Sequence, residues 1–366
     1  MKITSLSFLR TESGIKLAAG VSMPACCVCL RIGENTYEDA FNLAEPYDRK
    51  THVFYLPENA WRPGEKATLF YSPFKRIKIQ RRKTFVMPAP AFEDEEALLA
   101  EYDHGVRIVS EEKETLYEGL TYTKFTCTDN ENKPVIVSLL ETDLQNTALY
   151  IGTPGDGDTA KGVKATIPDM AAAAEAAGKN VLAGVNADFF DMFGDNHPSG
   201  LCVKNGRVIS NVRPERPYIG QLDDGSAVIA SQTDAPELTP RLAQAAAGMQ
   251  MIVKDGRLFD WAPLEPFSYV RHPRTAAGVT ADGKVLLLEV DGRIPAHSNG
   301  ASLVDLGLFM IRLGAVRAIN MDGGGSSAVY TKTGGAFTLR TRPADLIRPN
   351  SMLIRKDFNA IFIVEK

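Results

Sequence analysis

Two continuous apolar runs, Val285 to Val290 and Ala315 to Met321, each end in Asp-Gly, and between them Leu303, Leu306, Met310 and Leu313 recur at intervals of three and four. The pattern predicts a strand, a helix and a strand. Ser302 stands at the N-cap position with Asp305 three residues on, and Gly314 stands where a helix ends. Runs that are apolar throughout, rather than alternating, predict strands covered on both faces. If the two strands lie parallel in one sheet, a right-handed crossover sets Asp291 and Asp322 at the same edge, facing one crevice.

Asp322 is followed by Gly-Gly-Gly-Ser-Ser. Such a run is either an anion cradle of backbone N–H groups or a tight turn. It is not a P-loop, because no Lys follows the glycines and Ser-Ala-Val-Tyr-Thr reads as a strand.

Residues 1–90 alternate short apolar stretches with Pro and Gly turns and predict a β-rich, sandwich-like module of unassigned role. Lys75 to Lys83, with six basic residues in nine, reads as a strand with one solvated face. MPAPAFEDEEALLAEY reads as a Pro-rich linker and a short acidic-capped helix, which puts the boundary near residues 84–100. Residues 91–366 form the catalytic domain in this reading, a mixed α/β domain beside the smaller N-terminal one. It opens with the strands GLTYTKFTC and PVIVSLLETDL. In TPGDGDTAKG, Asp156 and Asp158 read as solvated loop carboxylates, since no bidentate Glu follows. A helix over Ile167 to Ala177, ended by Gly178, leads into the strand NVLAGV and Asn186. Asn205-Gly206 signals a hairpin, DDGSAVIA and MQMIVKDGRLF predict further hairpin strands, and a short helix is expected at about residues 240–247.

At 366 residues the chain is long enough for a large and a small domain. Its 44% hydrophobic and 23% charged residues are ordinary for a globular protein, and a net charge of -4 gives no overall attraction to nucleic acid or anionic membrane. The 5 cysteines, three of them crowded at Cys26, Cys27 and Cys29, suggest buried free thiols rather than a disulfide framework or a zinc site. No apolar run of about 18 residues predicts a membrane span. The first residues fail as a signal peptide, so a cytoplasmic location is expected unless a leader has been removed or export takes another route.

Arg271, His272 and Arg274 stand before a strand, where an Arg either holds an anion or ties loops together. Arg293 offers a similar choice: substrate contact, or a hold on Asp291. His297, Ser298, Asn299 and Gly300 precede the N-terminus of the predicted 303–313 helix, a natural anion site. His197 and His297 are each more often packing residues than acids or bases. Neither Gly-x-Ser-x-Gly nor His-Glu-x-x-His occurs. The strand ends thus offer Asn186, Asp188, Asp291 and Asp322, with Arg274 and Arg293 nearby. Carboxyl groups beside guanidinium groups suit cleavage of a bond between sugar and phosphate, with no metal or cofactor expected.

GVNADFFD, PRTAAGV, EVDGR, SNGASL and NMDGGGSSAV, in this order, resemble the phosphodiester glycosidase family. GLTYTKF, LLETDLQNTAL and RKDFNAIFIV extend the resemblance over roughly residues 100–366. It implies a mixed α/β domain that hydrolyses a sugar-1-phosphodiester, releasing sugar and leaving a phosphomonoester. The matching positions are Asn186, Phe189, Phe190, Arg274, Thr275, Asp291, Arg293, Ser298, Gly300 and Asp322 through Gly323, Gly324, Gly325, Ser326 and Ser327. On this reading Asp322 and Asp291 are the acid/base or nucleophile pair, with Asp188 the further catalytic candidate. Arg274 and Arg293 bind phosphate, and Asn186, Ser298 and the glycine backbone orient a small-molecule or glycan phosphodiester. The rivals are a metal-dependent phosphodiesterase and a non-catalytic module binding glycans or cell-wall polymer. The family's closing motif reads Arg-Pro-Val-x-Asn-Ala; here Arg355, Asn359 and Ala360 fit, while Lys356 and Asp357 replace the Pro-Val pair. Many relatives look exported, so an extracellular location is the alternative expectation.

Overall fold

A computed structural model describes residues 2–11, 14–21, 26–38, 51–57, 60–72, 81–88, 106–158, 163–190, 197–259, 270–348 and 351–366. The chain divides into two compact units, Met1–His104 with Asp260–Val270, and Gly105–Phe259 with Arg271–Lys366.

The first unit contains β1 (Ile3–Thr11), β2 (Gly14–Val21), β3 (Cys26–Ile32), β4 (Asn35–Glu38), β5 (Thr51–Leu56), β6 (Lys66–Ser72) and β7 (Arg81–Val86). They form a 3-stranded sheet, β1-β2-β5, and a 4-stranded sheet, β4-β3-β6-β7. Both contribute to one core, where Leu17 and Phe54 meet Leu30, Ile32 and Leu69. Of the basic run, Arg81, Arg82 and Lys83 are exposed on β7; its earlier part, and all of the expected linker and short helix beyond Pro88, lie outside the described residues.

The second unit runs through β8 (Arg107–Tyr117), β9 (Leu120–Thr128), β10 (Pro134–Thr142), β11 (Thr147–Gly152), α1 (Ile167–Ala176), β12 (Val181–Asn186), β13 (Leu201–Lys204), β14 (Arg207–Asn211), β15 (Tyr218–Leu222), β16 (Ala227–Ala230) and β17 (Leu242–Ala247). It continues with β18 (Gln250–Lys254), β19 (Arg257–Leu258), β20 (Arg274–Thr280), β21 (Val285–Val290), α2 (Leu303–Arg312), β22 (Ala315–Asn320), β23 (Val329–Thr333), β24 (Ala336–Leu339), β25 (Leu346–Arg348), β26 (Ser351–Met352) and β27 (Ala360–Glu365). An 8-stranded sheet, β19-β18-β22-β20-β21-β10-β9-β8, and two 5-stranded sheets, β11-β27-β12-β23-β24 and β14-β13-β17-β15-β16, hold most of it.

The expectation of a mixed α/β domain is corrected here: the second unit is predominantly antiparallel β. Among its described residues there are two α-helices of ten residues each. The reason lies at β20. It is inserted between β21 and β22 and pairs antiparallel with both, so those two strands run in the same direction without hydrogen bonding to each other. The strand–helix–strand pattern is real, and the two strands do end at one edge, but the strand that precedes them in the chain separates them. Both helices serve as covers. α2 packs Leu306 and Met310 toward β22 and β18, and its Phe309 meets Phe125 edge-on at 5.4 Å. α1 packs Met170 and Ala174 on the sheet that carries Phe362 and Val364. Both start with the capping box that their Thr/Ser and Asp predict.

Between the sheets lies the principal core, where Leu120, Leu140, Leu287 and Ile319 face Ile151, Val185, Val329 and Ile361. The helix expected at 240–247 is a 3-10 turn at Pro236–Arg241 followed by β17. Helix propensity of the alanines yields there to sheet pairing with β13 and β15, where small side chains let Gly200 and Gly220 approach. Asp156 is also not merely solvated, since it accepts from the Lys204 ammonium at 2.6 Å and the Tyr150 hydroxyl. Among the described residues no helix is long and apolar enough to cross a membrane.

Candidate active site

The ends of β12, β21 and β22 and the starts of β20, β23 and β27 gather at one end of this sandwich. Asn186, buried at the end of β12, braces the glycine loop. Its amide Nδ2 donates to the Asp322 carbonyl at 2.6 Å, and its Oδ1 accepts from the Thr275 hydroxyl at 2.7 Å and from the Ala328 backbone N–H at 3.2 Å. Both ends of the loop are thereby fixed to one side chain. The backbone continues the suture, with Met321 N–H donating to Thr275 and Asp322 N–H to Ala187. Asn186 and Thr275 thus hold the loop, and their hydrogen-bonding groups are used in doing so.

The loop is packed rather than flexible. Gly324 has φ +66°, and a Cβ there would lie 2.9 Å from the Arg293 guanidinium. At Gly325 a Cβ would overlap the Asp345 carboxylate and the Arg355 guanidinium. Asp345 joins the two arginines, accepting from Arg355 at 2.6 Å and pairing with Arg293 at 3.9 Å. Arg293 remains 43% exposed and Arg355 31%, so both guanidinium groups remain open to solvent beside the loop.

Three carboxyl groups meet here. Asp322, half-buried, accepts on Oδ1 from the Gly323 N–H at 2.8 Å. Burial lifts its pKa to about 6 against the downward pull of Ser326, the Gly323 N–H, Arg355 and Arg293. Asp357 is 3% exposed, and burial together with the Asp322 charge lifts it to about 8. Asp188, equally buried, has neither carboxyl oxygen hydrogen-bonded among the described residues; burial raises its pKa well above the usual range, and the Asp322 charge adds to this. Burial thus works against ionisation at all three, and the Asp322 charge adds to it at Asp188 and Asp357.

Asp291 is placed differently. Its Oδ2 meets His297 Nε2 at 2.7 Å and its Oδ1 accepts from the Arg342 N–H at 2.8 Å, while the residue is 2% exposed. Glu289 beside it is pushed well above the carboxylate range by burial and then by the Asp291 charge. Ser298 donates its hydroxyl to the Asp291 carbonyl and accepts from the Ile136 N–H at 3.1 Å. Arg293 has its ion pair with Asp345, not Asp291. Arg274 is buried and donates to the Ala301 carbonyl at 3.2 Å, while Gly300 packs against the His272 backbone. Arg271 ties loops together, meeting the Gly300 carbonyl at 3.0 Å and the Asp305 carboxylate at 3.1 Å. Burial, Arg274 and Arg293 press His272 down to about 4. Phe190 is half-buried with the Lys164 ammonium over its ring at 5.1 Å, and the Ser327 hydroxyl is buried without a partner among the described residues. Asp191 lies outside the described residues.

Asp345, Arg355, Asp357 and Asn359 carry no site role in the sequence reading, although Arg355 and Asn359 fit the family's closing motif. Three of them come from one extended segment. Arg355 reaches Asp345 and Ser326, Asp357 faces Asp322 and Ser326, and Asn359 accepts the Asp188 N–H at 3.0 Å. The alternation of 355, 357 and 359 just before the apolar run AIFIV is the signal that could have found them.

A profile of the phosphodiester glycosidase family matches residues 179–363. The chain belongs to this family. The matched residues include Asn186, Asp188, Asp291, Asp322, Asp345 and Asp357. Among curated relatives of the chain, mouse N-acetylglucosamine-1-phosphodiester alpha-N-acetylglucosaminidase is 25% identical over 228 residues, which are 58% of this chain and 42% of the mouse protein. The SPbeta prophage-derived uncharacterized protein YomE of Bacillus subtilis is 27% identical over 245 residues, 62% of this chain and 35% of that protein. The chain thus spans less than half the length of these relatives. The zebrafish N-acetylglucosamine-1-phosphodiester alpha-N-acetylglucosaminidase catalytic domain, solved auto-inhibited by its pro-peptide, shares the fold at a TM-score of 0.56 and 20% identity, covering 70% of this chain and 89% of that one. A hypothetical protein from Synechocystis does so at a TM-score of 0.54 and 13% identity, over 100% of this chain and 80% of that one.

Proposed function

We propose that this phosphodiester glycosidase hydrolyses the glycosidic bond of a sugar-1-phosphodiester, small or glycan-borne, releasing the sugar and leaving a phosphomonoester. The observation that carries the reading is the Asp322 group: a half-buried carboxyl, two fully buried carboxyl groups beside it, and two solvent-facing guanidinium groups around a braced glycine loop. Arg293 and Arg355 hold the phosphate and stabilise it as it departs with the bonding electrons. Asp322 serves the anomeric carbon, as nucleophile or as base for water. A departing phosphate is a weak base, so its protonation asks little of an acid. The curated relatives named for a sugar-1-phosphodiester support the choice of substrate class.

The test is product analysis on UDP-N-acetylglucosamine and teichoic-acid-like phosphodiesters, with and without chelator. Free sugar, with UDP from the nucleotide sugar or a phosphomonoester from the teichoic-acid-like substrate, formed equally in chelator, is expected. Sugar-1-phosphate as product would mean attack at phosphorus and overturn the reading; tight binding with no product at any pH would favour a binding module.

A further inference from the structure

The first unit lies outside the family match, and one face of it carries side chains that its core does not need. In the sheet β4-β3-β6-β7, Leu30, Ile32, Ala67 and Leu69 are buried in the core. The residues that alternate with them face outward, and the register of all four strands brings them together. Arg31 pairs with Thr36 on β4 and with Thr68 on β6, Thr68 with Thr84 on β7, and Phe70 with Arg82. Arg31, Thr36, Arg82 and Thr84 are exposed, while Thr68 and Phe70 are half-buried.

An aromatic ring thus stands on a solvated sheet face between two guanidinium groups. Arg31 lies over the Phe70 ring, 5.0 Å from its centroid, and Arg82 is the cross-strand neighbour on the other side. Arg31 Nε donates to the Thr36 hydroxyl at 3.4 Å, and the Thr68 and Thr84 hydroxyls are linked at 3.1 Å. Among the described residues neither Arg31 nor Arg82 meets a carboxylate, so their remaining N–H groups face solvent. Arg81 and Lys83 are exposed beside Arg82 on the same edge strand, and in a chain of net charge -4 this positive charge is local.

We propose that this face binds an anionic glycan. The C–H groups of a sugar ring pack on the exposed part of Phe70, Arg31 and Arg82 take a phosphate or carboxylate of the same chain, and the threonine hydroxyls meet sugar hydroxyls. A stacked guanidinium keeps its donors in its own plane, ready for two parallel bonds to an anion, and an aromatic face attracts the weakly positive C–H groups of a sugar. A neutral glycan would have no use for the two cations. Single-stranded nucleic acid would use several aromatic platforms in a positively charged groove, whereas this face has one ring. The proposal concerns the first unit alone and does not rest on the reaction proposed for the second.

The experiment titrates the full chain by calorimetry with a teichoic-acid-like glycosylated polyol phosphate, polygalacturonate, neutral dextran and a single-stranded oligodeoxynucleotide, using the wild type, R82A, F70T, R355A and K113A. Polygalacturonate contains no phosphodiester, so its binding is read whether or not the second unit hydrolyses the first probe. At least one of the two anionic glycans should bind saturably, more weakly as salt is raised, and the tighter one identifies the anion as phosphate or carboxylate; dextran should not bind. R82A should weaken binding by about tenfold, the worth of one hydrogen bond between charged groups, and F70T, which removes the ring and releases Arg31, by a similar factor. Arg82 is exposed on an edge strand, so R82A should melt with the wild type, and a melting scan checks F70T. K113A, which removes an exposed cation of the second unit, and R355A, at the candidate active site, should bind as the wild type does. No binding of either anionic glycan, binding unchanged in R82A, or binding lost in R355A instead would overturn the proposal. So would an oligonucleotide bound as tightly as the glycans, because the face would then select charge alone.

Discussion

Asp291 and Asp322 end two strands of the same direction at one edge of one sheet, yet the structure treats them in opposite ways. Both Asp291 oxygens are met by protein donors, His297 and the Arg342 N–H, and its neighbours Ser298, Arg274 and Arg271 complete a buried loop-holding network. Asp322 accepts a short bond from the next residue's N–H and feels the Ser326 hydroxyl, is partly exposed, and has two open guanidinium groups near it. A carboxylate whose acceptors are already engaged stabilises the fold. One left under-bonded, in a setting that raises its pKa, is kept for a ligand or a proton.

The largest expected effect is at Asp322. Asp322→Asn should lower turnover by about 100-fold or more, the usual worth of an acid–base or nucleophilic group, and should not destabilise the protein. The sign follows from linkage: a folded pKa of about 6, raised above the unfolded aspartate value, means that this group's stabilisation is present at low pH and is lost as pH rises through that value. Asn cannot ionise, so at pH 7 the variant should melt at or above the wild type in a thermal scan. Next comes Arg355→Ala, which removes a solvent-facing cation and releases Asp345; a loss of about tenfold in kcat/KM, with weaker competition by inorganic phosphate, is expected. Gly324→Ala should cost about 1–2 kcal/mol in denaturant unfolding, because a Cβ is disfavoured at φ +66° and meets Arg293. Its effect on kcat should be smaller than that of Arg355→Ala. Equal losses for all three would erase the distinction drawn between the reacting group and its frame.

Much of this end of the molecule was legible from the chain alone. The apolar runs, the caps at Ser302 and Gly314 and the Asp-Gly stops locate β21, α2, β22 and the glycine loop, because burial and capping are local constraints. What was not legible is non-local. No pattern within Val285 to Met321 announces that β20 lies between the two strands, and that insertion turns an expected parallel arrangement into an antiparallel sandwich. Alanine's helix propensity at 242–247 misled because the neighbours that make it a strand are distant in sequence. The reading gave Asp291 and Asp322 equal standing, since it reveals residue types but not which acceptors are already used. Asp357 departs from the family's closing motif, and its alternation with Arg355 and Asn359 is the local sign in the chain that groups the three.

The most direct test is turnover and melting temperature of D322N and D291N side by side in one buffer at pH 7. D322N should lose turnover with its melting temperature kept, while D291N, which weakens a buried charge-assisted network, should lose about 1.5–3 kcal/mol of stability and retain turnover when folded. The reverse pattern, an inactive but stable D291N with an active D322N, would contradict the account and move the chemistry to the Asp291–His297 pair.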